Sequence, residues 1–158
     1  MANQIDRLSL LIAQLRHTPH NEQSTAKKWM QAHVTDNALK AFIPKISVVA
    51  YHLLDALLHH GEMPGSAIAT ELGVTRGAVT RAARTLKQLT LITGTKHPDN
   101  QKNIYYQLTA SGRQLAALHN TMREELYQQL ADHIQATYTP DEIELIIRFL
   151  ADIKDSNL

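Results

Sequence analysis

Four basic side chains, and no acidic one, lie within the segment from Arg76 to Lys87. At helical spacing Arg76, Thr80 and Arg84 share one side of this segment, and Arg81 borders it. A guanidinium group donates two parallel hydrogen bonds to guanine or pairs with a phosphate. A solvated helix more commonly mixes charges of both signs, so that they pair at i,i+4. The charge pattern of this segment is therefore more typical of a DNA-binding helix than of an ordinary solvated surface helix.

The residues around this segment predict a helix-turn-helix. A short helix runs from Ser66 to Leu72, a turn follows at residues 73–75, and the basic helix runs from about Arg76 to Leu89. Gly73 permits the tight turn and Ala69 the close crossing of the two helices, and the second helix of such a motif enters the major groove. The predicted DNA-contacting residues of this helix are Thr75, Arg76, Gly77, Thr80, Arg81 and Arg84.

A β-hairpin is predicted directly after the helix-turn-helix. Residues 91–93 are typical of a strand, His97 to Asn103 of a polar turn, and Ile104 to Leu108 of the returning strand. A hairpin in this position is a wing. The predicted fold is therefore a winged helix-turn-helix, mainly α with a small β-hairpin (α+β).

Amphipathic helices are predicted on both sides of the winged region. Ile5, Leu8 and Ile12 begin an apolar stripe, and Pro44 is well placed to start a helix that ends at His60. After the wing, Thr109 caps a helix that reaches about Tyr138, and residues 139–142 begin a last helix with a cap, a proline and a glutamate. One small domain cannot bury the last two stripes, so they favour a two-fold partner.

The chain has 158 residues, the length of one domain, and 44% of them are apolar. Its charged residues are unevenly distributed along the sequence. Residues 61–113, the predicted winged region, hold 7 Lys/Arg and 3 Asp/Glu, whereas residues 114–158 hold 3 and 8. Residues 1–60 and 114–158 are predicted to support and dimerise this region. The chain has no Cys, which excludes disulfide scaffolds and thiolate metal sites. No secretory or membrane segment is recognised, so a cytoplasmic location without membrane contact is expected.

The sequence resembles the MarR family of bacterial winged-helix regulators across nearly the whole chain. The resemblance lies in residues 67–81 (AIATELGVTRGAVTR), Leu86-Lys87-Gln88-Leu89, and Leu108-Thr109-Ala110-Ser111-Gly112 after the wing. It implies a homodimer with interlocked terminal helices, recognition helices in successive major grooves of a palindromic DNA site, and wings that reach the minor groove. The implied function is a sequence-specific transcription regulator, a repressor that responds to a small ligand and needs no cofactor.

Two positions depart from the family's pattern. The wing usually carries Asp-x-Arg where this chain has Asn100, Gln101 and Lys102, and a glycine is usual where this chain has Thr90. The Asp–Arg strut is thus missing, and Lys102 keeps the positive charge without the planar fork of arginine. The wing residues predicted to contact DNA are Lys96, His97, Asn100 and Lys102.

Two further kinds of site are weighed. Trp29, His33 and Tyr51 are candidates for a small-molecule pocket of the kind in which the resembling regulators bind effectors, or else core residues. The 9 histidines include no i,i+4 pair, and His119 and His133 are expected on the polar flank of the long helix, so no metal site is predicted. No nucleophile with a base is recognised, and the chain is not expected to be an enzyme. A zinc-responsive regulator and a protein-interaction module stay open as alternatives.

Overall fold

A computed structural model describes residues 6–8, 10–12 and 19–155, without the side chains of residues 19–24, 100 and 101. Contacts divide the chain into two compact units, Met1–Met122 and Arg123–Leu158. Within the described ranges no helix has both the length and the apolar content needed to cross a bilayer. Residues 6–8 and 10–12 are helical, as predicted, while Ile5 lies outside the described residues.

The first unit begins with helices α1 (Pro19–His33), α2 (Asn37–Phe42) and α3 (Val48–His60). Asp36 caps α2 through its carboxylate, and Ser47 caps α3 by accepting a hydrogen bond from the Ala50 amide at 3.3 Å. The prediction that Pro44 starts α3 was wrong. Pro44 lies in a separate 3₁₀ turn, Ile43–Lys45, because Ser47 offers the side-chain acceptor that a helix start needs.

The winged region follows, in the order β1 (Met63–Pro64), α4 (Gly65–Glu71), α5 (Arg76–Gln88), β2 (Ile92–His97) and β3 (Asn100–Leu108). The sheet is antiparallel with β3 in its centre, and Met63 pairs with Tyr106 while Ile92 pairs with Leu108. The sequence did not predict β1, which is only two residues long and carries Pro64.

The predicted polar turn from His97 to Asn103 was too long. Thr95 pairs with Tyr105 and His97 with Asn100, so only Pro98 and Asp99 connect the two strands. The ladder continues because backbone hydrogen bonds, unlike a hydrophobic core, do not require apolar side chains. The wing is therefore a longer hairpin than its apolar residues indicate.

Helices α6 (Ala110–Thr137) and α7 (Pro140–Asp155) complete the fold, and α6 passes from the first unit into the second. The predicted start of α7 is confirmed as a reciprocal cap: the Thr139 amide donates to the Glu142 carboxylate at 2.8 Å, and the Glu142 amide to the Thr139 hydroxyl at 3.4 Å. The Thr139 amide and hydroxyl both donate to the Glu142 carboxylate, and these two hydrogen bonds hold the pKa of Glu142 below its usual value.

The core of the first unit contains a buried pair of titratable side chains. His119 was expected on a polar flank of α6, and that expectation was wrong. Its Nδ1 atom lies 3.0 Å from both carboxylate oxygens of Asp55 on α3, and its ring stacks on Tyr51 with centroids 4.5 Å apart. These polar groups tolerate burial because each meets the other. The surrounding core is apolar and includes Met30, Leu53, Leu54, Leu57, Ile68, Leu86, Leu91 and Leu115.

The chain after α5 is fixed against the start of α6. Thr90 adopts a positive φ of 56°, and its amide bonds to the Lys87 carbonyl while the Leu91 amide bonds to the Leu86 carbonyl. This is the Schellman arrangement that usually carries glycine, so the missing family glycine leaves the geometry intact. Thr109 caps α6 and also bonds to Leu91: its amide donates to the Leu91 carbonyl at 3.0 Å, and its hydroxyl lies 3.1 Å from the same oxygen.

Gly112→Ala should destabilise the protein by about 1–3 kcal/mol, the usual cost of overpacking. A Cβ atom at residue 112 would overlap the backbone carbonyl of Leu91, which cannot rotate away as a flexible side chain could. Gly77→Ala is the matched control, because a Cβ there meets only ordinary contacts, and it should stabilise α5 by about 0.5–1 kcal/mol. Chemical unfolding measures both, and equal stabilisation of the two variants would contradict the described junction.

Candidate nucleic-acid interface

The turn between α4 and α5 is closed by backbone hydrogen bonds. Gly73 adopts a φ of 62°, the Val74 amide donates to the Ala69 carbonyl at 3.1 Å, and the Gly73 amide to the Thr70 carbonyl at 3.3 Å. Thr75 then caps α5, with its hydroxyl accepting from the Ala78 amide at 3.2 Å. The predicted helix-turn-helix is thus confirmed, and its angle is set by one left-handed glycine and one capping threonine.

Helix α5 has one buried and one exposed face. Ala82 and Ala83 are buried together with Val79 and Leu86, so the helix packs closely on its neighbours through small side chains. The opposite face is solvent-exposed and consists of Arg76, Gly77, Thr80, Arg81, Arg84 and Lys87. The residues predicted to contact DNA therefore lie together on one accessible surface, which we call the basic face.

No carboxylate in the described part of the chain pairs with a cation of the basic face. Three contacts between a histidine and an acid lie elsewhere in the described fold, at His60–Glu71, His97–Glu62 and His119–Asp55. Like charges on one helix repel each other by a few tenths of a kcal/mol per pair. The described residues therefore leave the positive charge of the basic face unneutralised, and a polyanion could bind there.

Some side chains of the basic face are already oriented within the helix. The Thr80 hydroxyl donates to the Arg76 carbonyl at 2.9 Å, which leaves its oxygen as an acceptor. The guanidinium of Arg81 lies 3.7 Å from the place where a Cβ of residue 77 would be. Because Gly77 has no side chain, it leaves space beneath the Arg81 guanidinium. It also lets a bound molecule approach the helix backbone closely. Thr75, besides capping the helix, lies exposed at the end of this face.

The wing presents two of its predicted contacts to solvent and holds a third against the sheet. Lys96 and Lys102 are exposed. His97 is half-buried, and its ring stacks on Tyr105 with centroids 3.9 Å apart while Nε2 lies 3.0 Å from the Glu62 carboxylate. The Asn100 side chain lies outside the described residues. No sequence signal connects His97 with Glu62, because the two are far apart in the chain.

The three predicted pocket residues do not share one site. Trp29 and His33 stack on each other with ring centroids 3.8 Å apart, and His33 also lines a groove of about 250 Å³. Tyr51 lies in the core beside His119, its hydroxyl has no described hydrogen-bond partner, and burial raises the pKa of its phenol. The groove is formed by His33, Val34, Thr35, Leu39, Gln114, Leu115, Ala117, Leu118 and Thr121.

Among the described residues, no group of three or more His, Asp or Glu side chains is arranged to hold a metal ion. The neighbouring histidines His59 and His60 are both exposed at the end of α3, and His60 bonds to Glu71 at 3.1 Å.

Comparisons with known proteins agree with this geometry. The family model of the MarR family matches residues 46–104, which include α3, the helix-turn-helix and most of the wing. The uncharacterized HTH-type transcriptional regulator YvnA of Bacillus subtilis (strain 168) is 34% identical over 101 residues. That match covers 62% of this chain and 62% of YvnA, so it spans less than two thirds of the relative's length.

Two solved structures with DNA share the fold. FabT of Streptococcus pneumoniae in complex with DNA has a TM-score of 0.68 and 17% identity, covering 96% of this chain and 95% of FabT. A cysteine-to-serine mutant of Lactococcus lactis ZitR in complex with DNA has a TM-score of 0.66 and 24% identity, covering 100% of this chain and 98% of ZitR. The architecture is thus that of a winged helix-turn-helix protein with long flanking helices. Over residues 46–104 the chain is similar to the MarR family.

Proposed function

We propose that this protein is a homodimeric, sequence-specific DNA-binding regulator of transcription, a repressor whose affinity for a palindromic site responds to a small ligand. The observation that carries the proposal is the basic face of α5, an exposed row of cations without acidic partners in the described part of the chain. The basic face lies on a single α-helix, and the major groove of DNA, about 12 Å wide, admits one α-helix. The structures of FabT and of a ZitR mutant, which share the fold, have been solved in complex with DNA. Such a regulator would act in the cytoplasm, with the DNA.

The basic face can supply both kinds of contact that a specific complex needs. Arginine reads guanine through two hydrogen bonds, whereas contacts with phosphate position the protein and are lost as salt increases. Arg81 and Arg84 lie on the exposed side of the middle of α5, and Lys87 lies one turn further on. This arrangement favours base contacts from Arg81 and Arg84 and phosphate contacts from Lys87 at the end of the helix.

Arg81→Ala and Arg84→Ala should each weaken binding to a selected duplex by about 1–3 kcal/mol if the arginine reads a base, with relaxed sequence preference. The binding site is first selected from a random duplex pool with the full chain, and we expect a palindrome. Arg148→Ala on α7 is the matched control, since it removes the same charge from an exposed position outside the winged region. Affinities are measured by fluorescence anisotropy at several salt concentrations.

Unchanged affinity of both arginine variants would contradict the proposal. A wild-type chain that selects no sequence, and that binds random duplex without steep salt dependence, would instead favour the protein-interaction alternative. Thermal unfolding of each variant checks that the fold is retained, as expected for substitutions on an exposed face.

A second copy of the chain is the partner proposed for the terminal helices. In the second unit α7 has no buried residue, and Leu145, Ile147 and Leu150 are 57%, 55% and 52% exposed. At the other end of the chain Leu10 and Leu11 are 60% and 48% exposed. Large apolar side chains exposed in this number favour an interface, and a two-fold axis lets the same surface serve both partners.

Ile147→Asp should weaken dimerisation on the order of a hundredfold, because an unpaired charge in an apolar interface costs several kcal/mol. Arg148→Asp is the control at the adjacent, polar position of the same helix, and it should have a much smaller effect. Analytical ultracentrifugation over a range of concentrations measures the dissociation constant. If Ile147→Asp remained as dimeric as the wild type, or if the wild type were a monomer, this assembly would be wrong.

The groove beside His33 is the effector site that we propose in place of a pocket shared by Trp29, His33 and Tyr51. His33 Nδ1 lies 2.8 Å from the Trp29 carbonyl, which can only accept, so Nδ1 is the donor, and in the tautomer with its hydrogen on Nδ1 the Nε2 atom is an acceptor. Thr35, Gln114 and Thr121 add polar groups to an otherwise apolar lining. This chemistry suits a small apolar ring with a hydroxyl donor.

A panel of small phenols tests the effector site. We expect a phenol that binds the wild type to lower its affinity for the selected duplex, and Leu118→Trp, which fills the groove, to abolish both binding and response. His33→Ala should weaken the ligand by about 0.5–1.5 kcal/mol, the usual worth of one hydrogen bond, and His133→Ala, at an exposed histidine of the second unit, should not. Isothermal titration calorimetry measures the affinities. Equal binding to Leu118→Trp and the wild type would place the ligand elsewhere.

A further inference from the structure

Glu62 is an acidic residue at the base of the wing, in a region where acids are rare. Residues 61–113 contain only three, Glu62, Glu71 and Asp99. An acid close to bound DNA repels the phosphates, so its presence in a DNA-binding segment calls for a compensating role. Glu62 precedes β1, and its carboxylate reaches residues of β2.

The Glu62 carboxylate joins the two outer strands of the sheet. One oxygen lies 3.0 Å from His97 Nε2, and the other accepts a longer hydrogen bond, 3.5 Å, from the Thr95 hydroxyl. Since β3 is the central strand, this bridge passes from the β1 side to the β2 side. The His97 ring also stacks on Tyr105 of β3, with an angle of 16° between the ring planes. His97 is thus held at its edge by Glu62 and on its face by Tyr105.

The bridge lies where the hairpin is most easily bent. The register of β2 against β3 shifts between Thr95 and His97, and such irregularities bend and twist a strand. Glu62 contacts the residues on both sides of this shift, and Lys96, an exposed wing cation, lies between them. Fixing Thr95 and His97 therefore fixes the direction in which Lys96 leaves the strand.

We propose that Glu62 is a positioning residue that, through His97 and Thr95, holds the wing in the orientation in which Lys96 and Lys102 meet DNA. The consequence for binding rests on the DNA-binding function proposed above, whereas the orientation of the wing does not. An Asp–Arg strut would hold the wing from within the hairpin. The Glu62 bridge holds it from a residue outside the hairpin. Glu62 itself makes no favourable contact with DNA.

Two measurements on Glu62→Ala test this role. In the free protein, amide hydrogen exchange of residues 95–103 should become about two- to fivefold faster, the range expected for loss of a partly exposed contact between a histidine and a carboxylate. Affinity for the selected duplex should fall by a similar factor, although the substitution removes a negative charge. Glu62→Gln should lie between Glu62→Ala and the wild type, because the amide oxygen still accepts a hydrogen bond from His97.

Glu71→Ala is the matched control. It removes an acid of the same charge from the same region and breaks a histidine pair of similar length, His60–Glu71 at 3.1 Å, away from the wing. Wing exchange should be unaffected in this variant, and its DNA affinity should equal or exceed that of the wild type, because repulsion is reduced. In a Lys96→Ala/Lys102→Ala background the effect of Glu62→Ala on affinity should shrink, since the side chains it positions are gone.

The outcomes separate this inference from the proposed function. If wing exchange in Glu62→Ala equals that of the wild type, or if its affinity rises as in Glu71→Ala, Glu62 does not position the wing. Faster exchange with unchanged affinity would overturn the link to binding. If the wild type binds no duplex, the proposed function fails, and the exchange of residues 95–103 alone decides whether Glu62 holds the wing.

Discussion

The carbonyl group of Leu91 connects the parts of the first unit. It accepts a hydrogen bond from the Thr109 amide and lies 3.1 Å from the Thr109 hydroxyl, and Gly112 packs directly against it. Leu91 follows the end of helix α5, and Thr109 caps the long helix α6, so this contact joins the element that carries the basic face to the element that continues into the second unit. A backbone group in this role tolerates no side chain opposite it, which explains the glycine.

The junction also explains how Thr90 functions at a position that favours glycine. A left-handed residue other than glycine costs about 1–2 kcal/mol. The Thr90 carbonyl accepts a hydrogen bond from the Thr109 hydroxyl at 2.8 Å, and its neighbour Leu91 is fully buried. These contacts hold the backbone of residues 90 and 91 in place, so Thr90 keeps its strained positive φ. The end of α5 is consequently set by contacts with α6 as much as by its own sequence.

Charge and burial divide the roles of the histidines and acids. His119 and Asp55 form a buried pair in the core, whereas His97 and Glu62 form a partly exposed pair at the wing. Breaking a buried pair leaves an uncompensated charge and is costly, while an exposed pair contributes less than about 1 kcal/mol to stability. The His119–Asp55 pair therefore stabilises the fold. The His97–Glu62 pair can set the orientation of a hairpin without being essential for folding.

Elements with local signals could be predicted from the amino-acid sequence. The period of 3.6 residues separated the basic and buried faces of α5, Gly73 marked the turn, and Thr139 with Glu142 marked the start of α7, because each signal lies within a few residues. That the candidate DNA-contacting residues of α5 lie exposed on one face was predictable for the same reason. The pairing of Glu62 with His97, of Asp55 with His119 and of Leu91 with Gly112 emerged from the three-dimensional fold alone. These partners are far apart in the chain, and no periodic pattern specifies which distant residues the fold brings into contact.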